Sequence, residues 1–107
     1  MSIYWVVLFC AVGVEIAWAL SMKWVYLQPG VTSVSAVVVL TVLNILMLSW
    51  AMRGLPVGTA YAVWTGLGAV GVAVFGVLLF KDPVSLSRFF FMGLIAVGVI
   101  GLKFSAA

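Results

Sequence analysis

Five basic and two acidic side chains are all the charge the sequence holds, and every one but Glu15 falls near the end of an apolar run. A carboxylate inside hydrocarbon costs several kcal/mol unless it is paired, hydrated or protonated. No Lys or Arg sits at a matching depth in the chain to neutralise it. A low-dielectric surround favours the neutral acid. A carboxylate that titrates near neutral pH can hold either a proton or a cation, which is what exchanging one for the other requires. The plainer reading of Glu15 is a structural hydrogen bond to a neighbouring helix. Ionisable groups at membrane depth are functional by default, so the exchange reading takes precedence.

Helical spacing gathers further polar groups at similar depth. Trp18 lies three residues beyond Glu15 and so shares its face. Tyr61 and Trp64 repeat that spacing, with Thr65 one step further, and Asn44 is the strongest polar group in its own apolar run. Polar groups in hydrocarbon need partners, so Asn44, Tyr61 and the two indoles could line one cavity around Glu15. Indole N–H and phenol O–H groups can hold a carboxylate, and aromatic faces attract cations. The other reading makes these aromatics interfacial belts, the role expected of Trp5, Trp24 and Trp50. Trp18 and Trp64 stand several residues in from the ends of their runs, which disfavours a belt for them.

The elements that must position these groups are membrane-spanning helices. A span needs about 20 mainly apolar residues at about 1.5 Å of rise each. Four segments qualify: about Ile3 to Met22, Val31 to Met52, Val57 to Phe80, and Leu86 to Phe104. Pro29-Gly30, Arg53-Gly54-Leu55-Pro56 and Lys81-Asp82-Pro83 separate them. Pro56 and Pro83 are expected at helix entrances, where the missing backbone donor is tolerated. Short connections make neighbouring helices antiparallel. Stretches such as Val37-Val38-Val39-Leu40 are apolar on every face, which the alternating wall of a membrane barrel is not. The predicted fold is an all-α, four-helix membrane domain over residues 1–107.

Composition agrees. The chain is 67% hydrophobic and 7% charged, against roughly 25% charged residues in soluble domains. The net charge of +3 comes from scattered single residues, not the cluster that nucleic acid requires. With one cysteine, Cys10, and no histidine, neither an internal disulfide nor a metal-ligand pattern is possible. No nucleophile–base pair or phosphate loop suggests an enzyme, and no cofactor is implied. The N-terminus lacks the basic residue and short apolar core of a secretory signal, so it is expected to remain as the first span.

Orientation and motion each leave two readings. The N-terminus, Arg53 and Lys103 fall on one side, and Lys23, Lys81 and Arg88 on the other, so the usual excess of positive charge on the cytoplasmic side is close to nil. Either the chain inserts both ways, which would allow an antiparallel homodimer, or a single charge or another subunit orients it. Gly66-Leu67-Gly68 in the third span suits a hinge and suits tight packing equally. Gly93, Gly98 and Gly101 give the last span a small-residue edge fit for helix contact, Gly98 in the middle of it.

The run Gly54-Leu55-Pro56-Val57-Gly58-Thr59-Ala60-Tyr61-Ala62-Val63-Trp64-Thr65-Gly66-Leu67-Gly68 resembles the small multidrug resistance family, and more closely its guanidinium-exporter branch. Glu15 with Trp18-Ala19 and Lys23, Phe80-Lys81-Asp82-Pro83, and Gly98-Val99-Ile100-Gly101-Leu102-Lys103 are similar too, so the resemblance covers essentially the whole chain. It implies an antiparallel, dual-topology homodimer in the bacterial inner membrane and proton-coupled export. Glu15 would then be the shared proton and substrate carboxylate, with both copies in one pocket. Trp18, Tyr61 and Trp64 would surround it, Gly66 and Gly68 would form the hinge, and the last helix would make much of the dimer contact. Trp18 resembles the guanidinium branch, since the drug-exporting branch usually carries a small residue there. Asn44 departs from the Ser usual in the guanidinium branch, and Ser21 and Met22 also depart from the common pattern; these changes bear on substrate range.

The expected function is therefore a proton-coupled antiporter for guanidinium or small substituted guanidinium ions, planar cations whose donors match a carboxylate fork. Proton and cation would compete for the Glu15 pair. One rival is an exporter of quaternary ammonium or aromatic cations in the same family; the other is a non-transporting membrane subunit that binds a partner protein.

Overall fold

A computed structural model describes residues 2–105 as four helices: α1 Ile3–Leu27, α2 Val31–Ala51, α3 Val57–Phe80 and α4 Leu86–Ser105. All four are long and apolar enough to cross a membrane, as the sequence predicts. α1 does not stop at Met22 but runs through Lys23 to Leu27. Trp24, Val25, Tyr26 and Leu27 contain no breaker, and a lysine can carry its charge outward along a flexible stem. The helix closes where Gln28 donates its backbone N–H to Trp24 O at 2.7 Å.

The turns have specific chemistry. At the end of α2 the ring of Tyr4 lies against Gly54, where any Cβ would collide with it, and stacks on Trp50 with centroids 5.0 Å apart. Pro56 directly precedes α3, as expected. Lys81 ends α3 in the left-handed conformation (φ 58°), and Asp82 N donates back to Gly76 O at 3.2 Å. The left-handed position just past a helix end is one that glycine usually takes. Pro83, in contrast, is not at the entrance of α4. Ser85 is its cap: its Oγ accepts from Arg88 N at 3.2 Å, and its carbonyl accepts from Phe89 N at 3.2 Å. A serine oxygen satisfies a free helix donor, which a proline ring cannot do.

α1 packs on both α2 and α3, whereas the backbone of α4 lies against α3 alone. The assembly is a thin slab, 18 Å across its shortest axis, less than two helix diameters of about 10–12 Å each. Its core is one-sided. Leu8, Ala51, Ala60, Val63 and Val99 form the buried cluster. They come from the start of α1, the end of α2, the start of α3 and the later half of α4, all at the end that carries Arg53. The opposite half, towards Lys23 and Lys81, holds a groove instead.

Candidate functional site

Glu15 stands at the middle of α1 and Gly68 at the middle of α3, where the two helices face each other. A Cβ on Gly68 would meet both Cγ and Oε2 of Glu15 at 2.9 Å. The carboxylate thus occupies room that only glycine leaves. One turn on, Ile16 fills the equivalent space over Gly71. From Glu15 a groove of about 410 Å³ runs towards the α3–α4 turn. Ala19, Thr65, Gly68, Ala69, Val72 and Ala73 form its walls, and Asp82, Arg88 and Met92 lie at its outer end. Small side chains open it, and charge appears only at its two ends. Arg88 is steadied there by a hydrogen bond from Nη1 to Pro83 O at 2.7 Å. A smaller cavity of about 230 Å³ between α3 and α4 has apolar walls, such as Val70, Val74 and Leu78, and no carboxylate.

The other predicted residues sit elsewhere in the protomer. Trp18 Nε1 donates to Thr41 Oγ1 at 2.8 Å, and Trp64 Nε1 donates to Asn44 Oδ1 at 3.3 Å. Two indoles from α1 and α3 are therefore tied to one polar stripe of α2, Thr41 and Asn44 being three residues apart. The expectation that these N–H groups hold the Glu15 carboxylate does not describe the single chain: α2 offers neutral acceptors nearer to them. None of Trp18, Asn44, Tyr61 and Trp64 lines the groove that contains Glu15. Asn44 is buried, whereas Tyr61 is 54% exposed, with its ring centroid 5.6 Å from that of Trp64. Thr65 returns its hydroxyl proton to Tyr61 O at 2.6 Å.

Ser21, a departure from the family pattern, is buried and donates to Trp18 O at 2.7 Å. Its hydroxyl thereby satisfies itself within α1. Gly66 and Gly68 both have packing reasons: a Cβ on Gly66 would stand 2.9 Å from Val99 Cγ2 of α4. α3 is unbroken through both glycines. Among the described residues, no atom beyond its own stretch of α4 lies within 4 Å of a would-be side chain at Gly98, so that face of α4 is open.

Three polar residues were not singled out from the sequence: Thr41, which holds the Trp18 N–H, and Asp82 and Arg88, which line the outer end of the groove. Thr41 gave a signal, since it is polar within an apolar run and shares a face with Asn44. Asp82 and Arg88 looked like ordinary interfacial charges. Only the fold of the α3–α4 turn brings them onto the groove that ends at Glu15.

Fold and groove together define a small four-span membrane protein with a single acid at mid-depth, facing a polar-ended groove. The chain belongs to the Small Multidrug Resistance protein family, whose family model matches residues 3–95. It is 49% identical to a guanidinium exporter of Citrobacter freundii, covering 94% of this chain and 96% of that one. It is 44% identical to a guanidinium exporter of Salmonella typhimurium strain LT2, over 95% of this chain and 97% of that one. A guanidinium exporter of Proteus vulgaris is 42% identical, over 95% and 98% of the two chains.

Proposed function

We propose that the protein is a proton-coupled antiporter that exports guanidinium or small substituted guanidinium cations, working as an antiparallel homodimer in a bacterial inner membrane. The observation that carries the reading is Glu15 itself: an acid halfway through its helix, set against Gly68 and facing a groove. Its relatives' names supply the cation. A guanidinium ion is planar and weakly hydrated, and its donors match a carboxylate fork. Protons and cation neutralise the same charge, so binding one displaces the other, and the two fluxes are linked if the empty site rarely changes sides.

The slab shape supports the dimer. A protomer 18 Å thin does not enclose a cation on all sides. A second, inverted copy laid over the groove would add its own Glu15 and complete a pocket with Trp18, Asn44, Tyr61 and Trp64. The near-equal charge on the two ends suits insertion in both directions, and the open face at Gly98 is available for helix contact. Gly66 and Gly68 remain the points about which α3 would bend between two states.

Purified protein in liposomes should move guanidinium against a proton gradient, and Glu15→Gln should abolish the movement. Transport persisting in that variant would rule out the carboxylate mechanism. A second reading, export of bulkier quaternary ammonium or aromatic cations, is favoured by the groove volume of about 410 Å³, which lies in the range that suits drug-sized ligands. Competition between guanidinium and tetramethylammonium separates the two.

A further inference from the structure

The hydroxyl of Thr41 works in both directions. It donates to Val37 O at 2.7 Å and accepts from Trp18 Nε1 at 2.8 Å. Its single proton goes to the backbone of α2, which leaves a lone pair facing the indole. Trp18 is itself anchored at its carbonyl by Ser21 Oγ at 2.7 Å. Trp18 stands three residues beyond Glu15 on the same face of α1, and long side chains on a helix lean towards its N-terminus, the direction in which Glu15 lies. The indole N–H meets a neutral hydroxyl on α2, and the carboxylate one turn back on its own helix is the alternative acceptor that the spacing offers. In the structure it is on the hydroxyl, and Trp18 stays out of the groove at Glu15.

We infer that Thr41 is a positioning residue for selectivity: by holding the Trp18 N–H, it keeps both oxygens of Glu15 free for a cation that binds through its own N–H donors. This rests on the reading of Glu15 as the cation site. Without the Thr41 acceptor, the indole turns to the next one, and a charged oxygen accepts more strongly than a neutral one. The carboxylate then has one oxygen capped. Guanidinium, which uses a two-pronged contact, loses a prong. Tetramethylammonium has no N–H and binds by charge and by aromatic faces, so capping costs it less. Loss of Thr41 thus erodes the preference for guanidinium over quaternary ammonium.

The test is binding to detergent-solubilised protein, followed by proton release on adding guanidinium or tetramethylammonium chloride. Thr41→Val should weaken guanidinium relative to tetramethylammonium by about two- to tenfold, the range of one neutral hydrogen bond. Thr41→Ala should give the same shift with a smaller side chain, and Thr41→Ser should restore the wild-type ratio. Adding Trp18→Phe to Thr41→Val removes the N–H that caps Glu15, so the double variant should match Trp18→Phe alone. An unchanged ratio in both Thr41→Val and Thr41→Ala overturns the inference, as does a full Thr41→Val effect in the Trp18→Phe background. A wild-type protein silent to guanidinium defeats the functional reading first, and is told apart by that silence.

Discussion

The carboxylate of Glu15 on α1 lies in the space that a side chain at position 68 of α3 would need, 2.9 Å from where its Cβ would stand. Ile16 is seated over Gly71 in the same way. Together these contacts set how close α1 and α3 approach at mid-membrane. They also give Gly68 a purpose that does not depend on bending: it makes room for an acid.

Gly68→Ala should therefore act on the site more than on the fold. At 2.9 Å from Cγ and Oε2 the new Cβ would stand closer than real Cβ atoms approach their neighbours, so Glu15 or the helices must shift. Overpacking of this kind costs about 1–3 kcal/mol, and guanidinium affinity should fall by about tenfold or more. Gly68→Val should remove binding altogether. The check is a guanidinium titration on detergent-solubilised protein, with thermal unfolding showing that the variants remain folded. Unaltered affinity in Gly68→Val would separate Glu15 from the site.

Competition at one acid fixes the sign of the pH dependence. As pH falls, more Glu15 is protonated and fewer copies are free to take a cation, so the apparent guanidinium affinity drops. Where the acid is mostly protonated, the drop approaches about tenfold per pH unit for each proton displaced. A limiting slope of two would mean both copies of Glu15 release a proton per cation. A series of guanidinium titrations across pH measures the slope, and pH-independent binding would contradict competition.

The spans were legible because about 20 apolar residues between Pro- and Gly-marked turns have no other stable arrangement in lipid. Glu15 was legible for the same reason, as the charge that breaks the pattern. Partners across helices were not. Trp18 shares a face with Glu15 by spacing, but spacing cannot say that its N–H is donated to Thr41 of α2. That depends on which face α2 presents, and α2 is apolar nearly all round, so its rotation leaves little trace in the sequence. Boundaries failed where local chemistry was ambiguous. Lys23 read as a stop although the helix continues, and Pro83 read as a helix start although Ser85 provides the cap.

Lys81 offers a test of the α3–α4 turn that carries Asp82 and Arg88 onto the groove. Its backbone is left-handed at φ 58° and ψ 38°, a conformation that costs a side-chain-bearing residue roughly 1 kcal/mol and glycine almost nothing. Lys81→Gly should raise stability by about that amount. Lys81→Ala removes the same charge without relieving the backbone and should not. Thermal unfolding of the two variants in one detergent distinguishes them. Equal stability would mean that the charge, and not the backbone, governs the turn.

Charge balance provides the last test, and it bears on the dimer directly. Arg53 and Lys103 face one side, and Lys23, Lys81 and Arg88 face the other, two side chains against three. Orientation follows such counts near the span ends, so a small change should tip it. Arg53→Ala with an added lysine in the Pro29-Gly30 turn should fix one orientation. An added lysine beside Arg53 with Lys81→Ala should fix the opposite one. If transport needs one copy of each orientation, either biased variant alone should lose most guanidinium export, and co-expression of the two should restore it. A reagent-accessible cysteine appended at the C-terminus, in a Cys10→Ala background, reports orientation independently of activity. Full export from a uniformly oriented variant would exclude the antiparallel dimer while leaving the role of Glu15 intact.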